Sequence, residues 1–100
     1  KWSDWDVDIR QLVLEVDYAL LDATFYADGE LGNRDMSQIP HPFVTETMEL
    51  FQGFTQDQRR KVWFIHFNHT NPLLDADSVA SRFVTGENFN IAREGMRLPL

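Results

Sequence analysis

Apolar residues near the start of the chain recur at the spacing of an amphipathic helix. This spacing predicts a helix over residues 4–14, which Ser3 or Asp4 would cap. Its apolar stripe consists of Trp5, Ile9, Leu12, Val13 and Val16. A short apolar run over residues 16–21 then predicts a buried strand, which ends at Asp22.

A mostly polar stretch over residues 26–40 predicts a long loop, because Gly29, Gly32 and Pro40 interrupt it. Loops of this length in compact domains usually serve a function or are disordered. A second helix is expected after His41. Its signals are Pro42 in the first turn, an apolar face of Val44, Met48 and Phe51, and a C-terminal cap at Gly53.

The second half of the chain predicts one helical turn, a central strand and a third helix. Thr55 and Gln58 have capping-box spacing, which predicts the turn. The apolar run over residues 62–67 predicts a strand buried on both faces, and residues 68–72 predict a turn after it. The third helix would begin at Asp77 or Ser78, place Val79, Ala80, Phe83 and Val84 inward, and end at Gly86.

The predicted order is helix, strand, helix, strand, helix and then a small terminal β pair. The pair comes from residues 89–92 and 96–98, with a turn at Glu94 and Gly95. Alternation of this kind predicts a layered α/β architecture. A length of 100 residues predicts a single unit over residues 1–100.

Charge and composition exclude several classes of partner. Sixteen acidic residues against nine basic ones give a net charge of -7, which disfavours binding to nucleic acid. The basic cluster of Arg59, Arg60 and Lys61 is too small for a nucleic-acid site and is expected to be a solvated helix end. The absence of cysteine excludes disulfides and cysteine-ligated zinc. No apolar run reaches the roughly 18 residues of a membrane span, so no membrane partner is expected.

Two metal-competent side chains stand at the ends of the two main predicted strands. Asp22 ends the first strand and His66 stands at the end of the central one. Ligands of open α/β sheets bind outside the carboxyl ends of the strands, and imidazole with carboxylate suits zinc, iron or manganese. Simpler roles stay open: Asp22 as a turn former, His66 as a core histidine, His41 as an N-cap and His69 as a loop residue.

Several segments of the chain match the pattern of one family. They are residues 18–25, 34–36, 41–42, 64–74 and 92–96. Together they resemble the C-terminal portion of metallo-β-lactamase-fold proteins of the kind represented by pyrroloquinoline quinone (PQQ) biosynthesis protein B. The most specific segment is His-x-Asn-x-Thr-Asn-Pro over residues 66–72. The resemblance implies the C-terminal half of a metallo-β-lactamase-type αββα sandwich.

The resemblance also implies roles for individual residues. Asp22 matches an aspartate that bridges two metal ions, and His66 matches the last metal-binding histidine. His41 resembles the loop histidine that lies near the substrate in related cyclic phosphodiesterases of this fold, where it acts in proton transfer. For His69, Thr24 and Asn68 the resemblance implies that they support the metal ligands or contact the substrate. The implied cofactor is two divalent metal ions, with zinc expected first and iron or manganese as alternatives.

The main metal motif of this fold, His-x-His-x-Asp-His, is absent from the chain. Two protein ligands cannot fill two metal sites that each need about four. The resemblance therefore implies part of a larger domain, inactive alone, whose partner is the N-terminal half of the same protein. A small-molecule substrate is expected. The chain is also expected to self-associate through the face that the other half would cover.

Three functions follow as hypotheses. The first is a metal-dependent hydrolase of an ester or phosphodiester. The second is an iron-dependent enzyme that oxidatively tailors a peptide-derived precursor, as in biosynthesis of the PQQ type. The third is a non-enzymatic α/β module that binds a partner through an exposed patch of Trp2, Trp5 and Trp63.

Overall fold

A computed structural model of the protein describes residues 8–32, 36, 40–93 and 95–96. The elements in chain order are α1 (Ile9–Leu14), β1 (Ala19–Asp22), α2 (Val44–Leu50), α3 (Gln56–Arg59), β2 (Val62–Ile65), a 3₁₀ helix (Pro72–Leu74), α4 (Val79–Gly86) and β3 (Asn90–Ile91). The predicted α/β alternation is confirmed. Within the described ranges, no helix has both the length and the apolar character that crossing a membrane requires.

The described strands form one parallel sheet in the order β1-β2-β3, so the predicted central position of β2 is confirmed. Parallel neighbours need crossover connections, which α2 and α3 supply before β2 and α4 supplies before β3. The predicted terminal β pair is not seen among the described residues, where β3 pairs with β2. Met96 is in no strand, and residues 97–98 lie outside the described ranges.

One face of the sheet carries the core. Alternate residues of β1 and β2 are buried on that face: Ala19, Leu21, Val62 and Phe64. On the other face Leu20 is 55% exposed and Trp63 is half-buried. The prediction that the central strand is buried on both faces is therefore wrong, because Trp63 and Ile65 on its other face are only half-buried. Trp2 and Trp5 of the predicted aromatic patch lie outside the described residues.

The first helix is shorter than predicted, and its predicted caps fall in residues 1–7, outside the described ranges. Asp8 caps it instead, with a carboxylate oxygen 3.0 Å from the backbone nitrogen two residues on. Ile9 and Val13 are buried, whereas the predicted stripe members Leu12 and Val16 are exposed. A helix of six residues buries only a narrow stripe.

Both helices before β2 lie close to their predicted positions, but the ends of α2 differ from the prediction. Its N-cap is Phe43, so Pro42 precedes the helix, and its C-cap is Phe51 and not Gly53. Val44, Met48 and Phe51 are buried as predicted for α2. The capping box of α3 is present, since Thr55 Oγ1 accepts from the Gln58 nitrogen at 3.2 Å and Gln58 Oε1 accepts from the Thr55 nitrogen at 2.9 Å.

The inward face of α4 differs from the prediction. Val79 is 86% exposed and Phe83 is 50% exposed, whereas Ser81 and Val84 are buried. The Ser81 hydroxyl donates to the carbonyl oxygen of Asp75 at 2.7 Å, so this side of the helix packs on the segment before it. The apolar residues of the helix were thus a poor guide to its orientation, because a serine takes the interior position.

Arg59 is not a solvated helix end. Its guanidinium donates to the carbonyl oxygens of Gln52 and Phe54, and to the carbonyl and carboxylate of Glu87. It also lies 5.4 Å from the centre of the Phe89 ring. The side chain therefore joins the ends of α2, α3 and α4.

Candidate functional site

The carboxyl ends of β1 and β2 lie side by side. Asp22 is in register with Ile65, so His66 is the next residue along the neighbouring strand. The Ala23 nitrogen donates to the Ile65 oxygen at 2.7 Å, which continues the pairing one step beyond β1. Asp22 and His66 thus leave the sheet at the same edge, as predicted.

A histidine from the loop before α2 contacts Asp22. The Nδ1 atom of His41 lies 3.1 Å from Oδ2 of Asp22, although 19 residues separate them in the sequence. The start of α2 reaches this edge because the Val44 nitrogen donates to the Phe25 oxygen at 3.1 Å. Phe43 is the N-cap of α2, so the reading of His41 as a simple N-cap is wrong. The side chains of His41 and Asp22 are 48% and 26% exposed, which leaves the pair open to a ligand.

Thr24 holds the other oxygen of the same carboxylate. Its hydroxyl donates to Oδ1 of Asp22 at 2.8 Å, and its backbone nitrogen lies 3.4 Å from Oδ2. Asp22 therefore forms a local turn, as the simpler interpretation expects, and also pairs with His41. Hydrogen bonds from both sides fix the orientation of the carboxylate.

The two histidines after β2 are both exposed. His66 has a φ of +64°, in the left-handed region that few residues other than glycine adopt. Its exposure excludes the alternative of a core histidine. His69 lies in a turn, where the simpler interpretation places a loop residue.

The structure joins Asp22 with His41 but does not gather all the predicted ligands. Among the residues that the structure describes, no group of three or more histidine, cysteine, aspartate or glutamate side chains could hold a metal ion. His66 therefore does not complete a three-ligand group with the pair. The donor types fit a zinc, iron or manganese site, but these residues supply only part of one.

Sequence reasoning missed the polar residues that surround this edge. Asn71 is 3% exposed, and its side chain donates to the carbonyl oxygen of Ala23 at 2.7 Å. The available signal was an asparagine directly before a proline, which is a typical start of a short helix. A cleft of about 370 Å³ lies alongside, between residues 26–30 and residues 70–72.

A second cleft, of about 320 Å³, lies between α2 and α4 and is lined by Met48, Phe83 and Phe89 among others. It contains none of the predicted site residues. Its charged wall is Arg59 with Glu49 and Glu87, and the Arg59 donors are already engaged with the protein. This cleft is therefore separate from the edge that carries Asp22.

Comparison with known proteins finds relatives that carry the same name, coenzyme PQQ synthesis protein B. The chain is 30% identical to coenzyme PQQ synthesis protein B of Azotobacter vinelandii, 31% identical to that of Pseudomonas entomophila and 29% identical to that of a Methylobacterium strain. These alignments cover 93–95% of the chain but 33% of each relative. No family model matches the chain. No solved structure matches it either. Over nearly all of its length the chain is similar to about one third of a coenzyme PQQ synthesis protein B, which confirms the resemblance predicted from its motifs.

Proposed function

We propose that this chain is part of a metal-dependent protein that acts in the synthesis of PQQ or a related cofactor, by oxidative tailoring of a peptide-derived precursor. The observation that carries the proposal is the similarity to coenzyme PQQ synthesis protein B over 95% of the chain. Because the chain spans about one third of the length of those relatives, the activity belongs to the larger protein.

In this proposal the chain is the C-terminal part of a metallo-β-lactamase-type αββα sandwich. The exposure of Leu20 supports it, because this side chain is 55% exposed on the face of the sheet opposite the core. Trp63 is on the same face, and its indole nitrogen is buried without a hydrogen-bond partner in the described part of the chain. A second layer, supplied by the N-terminal half of the protein, would cover this face.

Asp22 and His66 are the proposed metal ligands, and the remaining ligands would come from the rest of the domain. Thr24 would orient the Asp22 carboxylate through its 2.8 Å hydrogen bond. Iron, when bound, would supply the redox chemistry of the tailoring step. If the Nδ1 atom of His41 carries the proton toward Asp22, Nε2 is free to accept a proton from a substrate.

A second candidate function is hydrolysis of an ester or phosphodiester at a zinc site. The contact between His41 and Asp22 favours it, since a histidine oriented by a carboxylate is suited to protonating a leaving group. Zinc would act as a Lewis acid and would provide a hydroxide at neutral pH.

The identity of the metal bound by the intact protein distinguishes the two candidate functions. Bound iron with substrate-dependent oxygen consumption supports oxidative tailoring, whereas bound zinc with cleavage of bis(p-nitrophenyl) phosphate supports hydrolysis. Asp22→Ala and His66→Ala should each lower the metal content. His69→Ala serves as the control and should leave it unchanged. An intact, folded protein without metal, or unchanged metal content in both alanine variants, would refute both candidates.

A further inference from the structure

Asn71 joins the segment after β2 to the segment after β1. Its side-chain nitrogen donates to the carbonyl oxygens of Ala23 at 2.7 Å and Thr24 at 3.2 Å. Its side-chain oxygen accepts from the Leu73 nitrogen at 2.9 Å, and so caps the 3₁₀ helix. Both amide hydrogens and the oxygen of this buried side chain are therefore engaged.

Neighbouring residues extend the same connection. The Asn68 nitrogen donates to the Thr24 oxygen at 2.9 Å, and its side chain donates to the Thr70 hydroxyl at 2.7 Å. Thr70 in turn donates to one carboxylate oxygen of Glu30, whose other oxygen accepts from the Tyr26 nitrogen at 2.7 Å. We call Glu30, Asn68, Thr70 and Asn71 the strand-end clamp.

The strand-end clamp acts next to the proposed ligands without containing them. Ala23 and Thr24 directly follow Asp22, and Thr24 holds the Asp22 carboxylate. Asn68 and Asn71 follow His66 by two and five residues. The clamp therefore spans the same gap between segments that a metal bound by Asp22 and His66 would bridge.

We propose that Asn71 is a positioning residue, which fixes the separation of Asp22 and His66 at the carboxyl edge of the sheet. The role rests on the proposed function in one respect, that Asp22 and His66 bind a common metal centre. A purely local role would need only the side-chain oxygen, which caps the 3₁₀ helix. The two donated hydrogen bonds cross to the other segment and serve the positioning.

Asn71→Asp separates these two roles, because it retains the capping oxygen and removes both donors. Asn90→Asp is the matched control. The Asn90 side chain also donates to two carbonyl oxygens, those of Arg60 at 2.7 Å and Val62 at 3.2 Å, but at the opposite end of β2. Both variants lose the same kind of hydrogen bond, and only one loses it near the proposed ligands.

The first measurement is a cobalt(II) titration of the intact, metal-free protein, followed by visible absorption. We expect Asn71→Asp to weaken cobalt binding about tenfold or more and to change the absorption bands of the bound ion. Asn90→Asp should bind within about twofold of the wild type with unchanged bands. Loss of packing alone would lower the melting temperature of both variants without altering the bands of the folded fraction.

The second measurement needs no metal. Backbone hydrogen exchange of the Ala23 and Asn68 amides should be faster in Asn71→Asp and unchanged in Asn90→Asp. Unchanged exchange in Asn71→Asp overturns the clamp, and faster exchange with unchanged cobalt binding overturns its positioning role. If the wild type binds no cobalt, the proposed function fails, and the exchange rates alone decide whether the clamp exists.

Thr70→Val gives a milder variant for the case in which Asn71→Asp does not fold. Thr70 is exposed, so the change removes its two hydrogen bonds without disturbing the core. We expect a smaller shift in the same direction in both measurements. A Thr70→Val protein identical to the wild type in cobalt spectrum and in Asn68 exchange would contradict the proposal.

Discussion

His66 has a backbone conformation that works against stability. A side chain at a φ of +64° costs about 1–2 kcal/mol relative to an ordinary conformation. Strain of this kind is common at functional sites, where the surrounding structure holds it in place. Here Ile65 before it is paired with Asp22, and the clamp residues hold the chain after it.

Replacing His66 with glycine should therefore stabilise the fold and weaken metal binding together. We expect His66→Gly to raise the free energy of unfolding by about 0.5–1 kcal/mol, because relief of strain outweighs the added chain entropy. Urea unfolding of the metal-free intact protein measures this, and metal analysis measures the loss of binding.

Asn88 provides the control, because it also has a positive φ, at 71°, but lies after α4. Asn88→Gly should change stability by less than about 0.5 kcal/mol, since asparagine tolerates this region, and should leave metal content unchanged. A His66→Gly protein that is less stable than the wild type would contradict the strain interpretation.

The environment of Tyr26, which lies near the carboxyl edge of the sheet, predicts that stability depends on pH. Burial raises the pKa of its phenol above the ordinary value of 10.0, because the charged form is disfavoured there. The fold therefore favours the neutral phenol. The associated stability is fully present below pH 10 and is lost as the pH rises through the raised pKa.

A pH titration followed by absorbance at 295 nm measures ionisation of the phenol. Subtracting the Tyr26→Phe curve from the wild-type curve isolates Tyr26, and the difference should have its midpoint above pH 10. Stability should also fall less steeply above pH 10 in Tyr26→Phe than in the wild type. A midpoint at or below 10 would show that the phenol is not desolvated in solution.

At the scale of elements, α4 shows how little an apolar pattern says about orientation. Four apolar residues predict its inward face. Val84 is buried and Ala80 packs against the core as predicted, but Val79 is 86% exposed and Phe83 is 50% exposed. The reason is the hydrogen bond from Ser81 to the Asp75 oxygen, which holds the serine side of the helix against the chain.

The two valines allow one substitution to be compared in two environments. We expect Val84→Ala to lower the free energy of unfolding by about 1–3 kcal/mol, because it removes buried methyl groups and leaves a cavity. Val79→Ala should stay within about 0.5 kcal/mol of the wild type. Equal losses in the two variants, measured by chemical unfolding, would show that α4 is rotated relative to this structure.

At the scale of the molecule, Arg59 links elements that are distant in the chain. Its guanidinium makes four hydrogen bonds to residues at the ends of α2 and α4 and between them, and its side chain is 17% exposed. A planar group with five donors can reach these acceptors together, whereas an ammonium group cannot.

Arg59→Lys should consequently lower the free energy of unfolding by about 2 kcal/mol or more, since several carbonyl oxygens, two of them in part-buried hydrogen bonds, lose their donors. Arg60→Lys is the control, because Arg60 is exposed and pairs only with Asp57 among the described residues. It should change stability by less than about 0.5 kcal/mol. Comparable stability of Arg59→Lys and wild type in urea would mean that Arg59 is not a structural link.

The sequence alone determined the order of helices and strands, the end of β1 at Asp22, the start of β2 at Val62, and the similarity to coenzyme PQQ synthesis protein B. These properties depend on local periodicity, on capping residues and on short motifs. Asp22 and His66 could be predicted as neighbours for the same reason, since parallel strands end at one edge.

Only the tertiary structure decided which side of α4 is buried, that β3 pairs with β2, that His41 contacts Asp22, and that Asn71 joins the two strand-end segments. Each of these depends on contacts between residues far apart in sequence. A buried polar side chain is stable wherever its donors find acceptors, and the positions of those acceptors exist only in the folded chain.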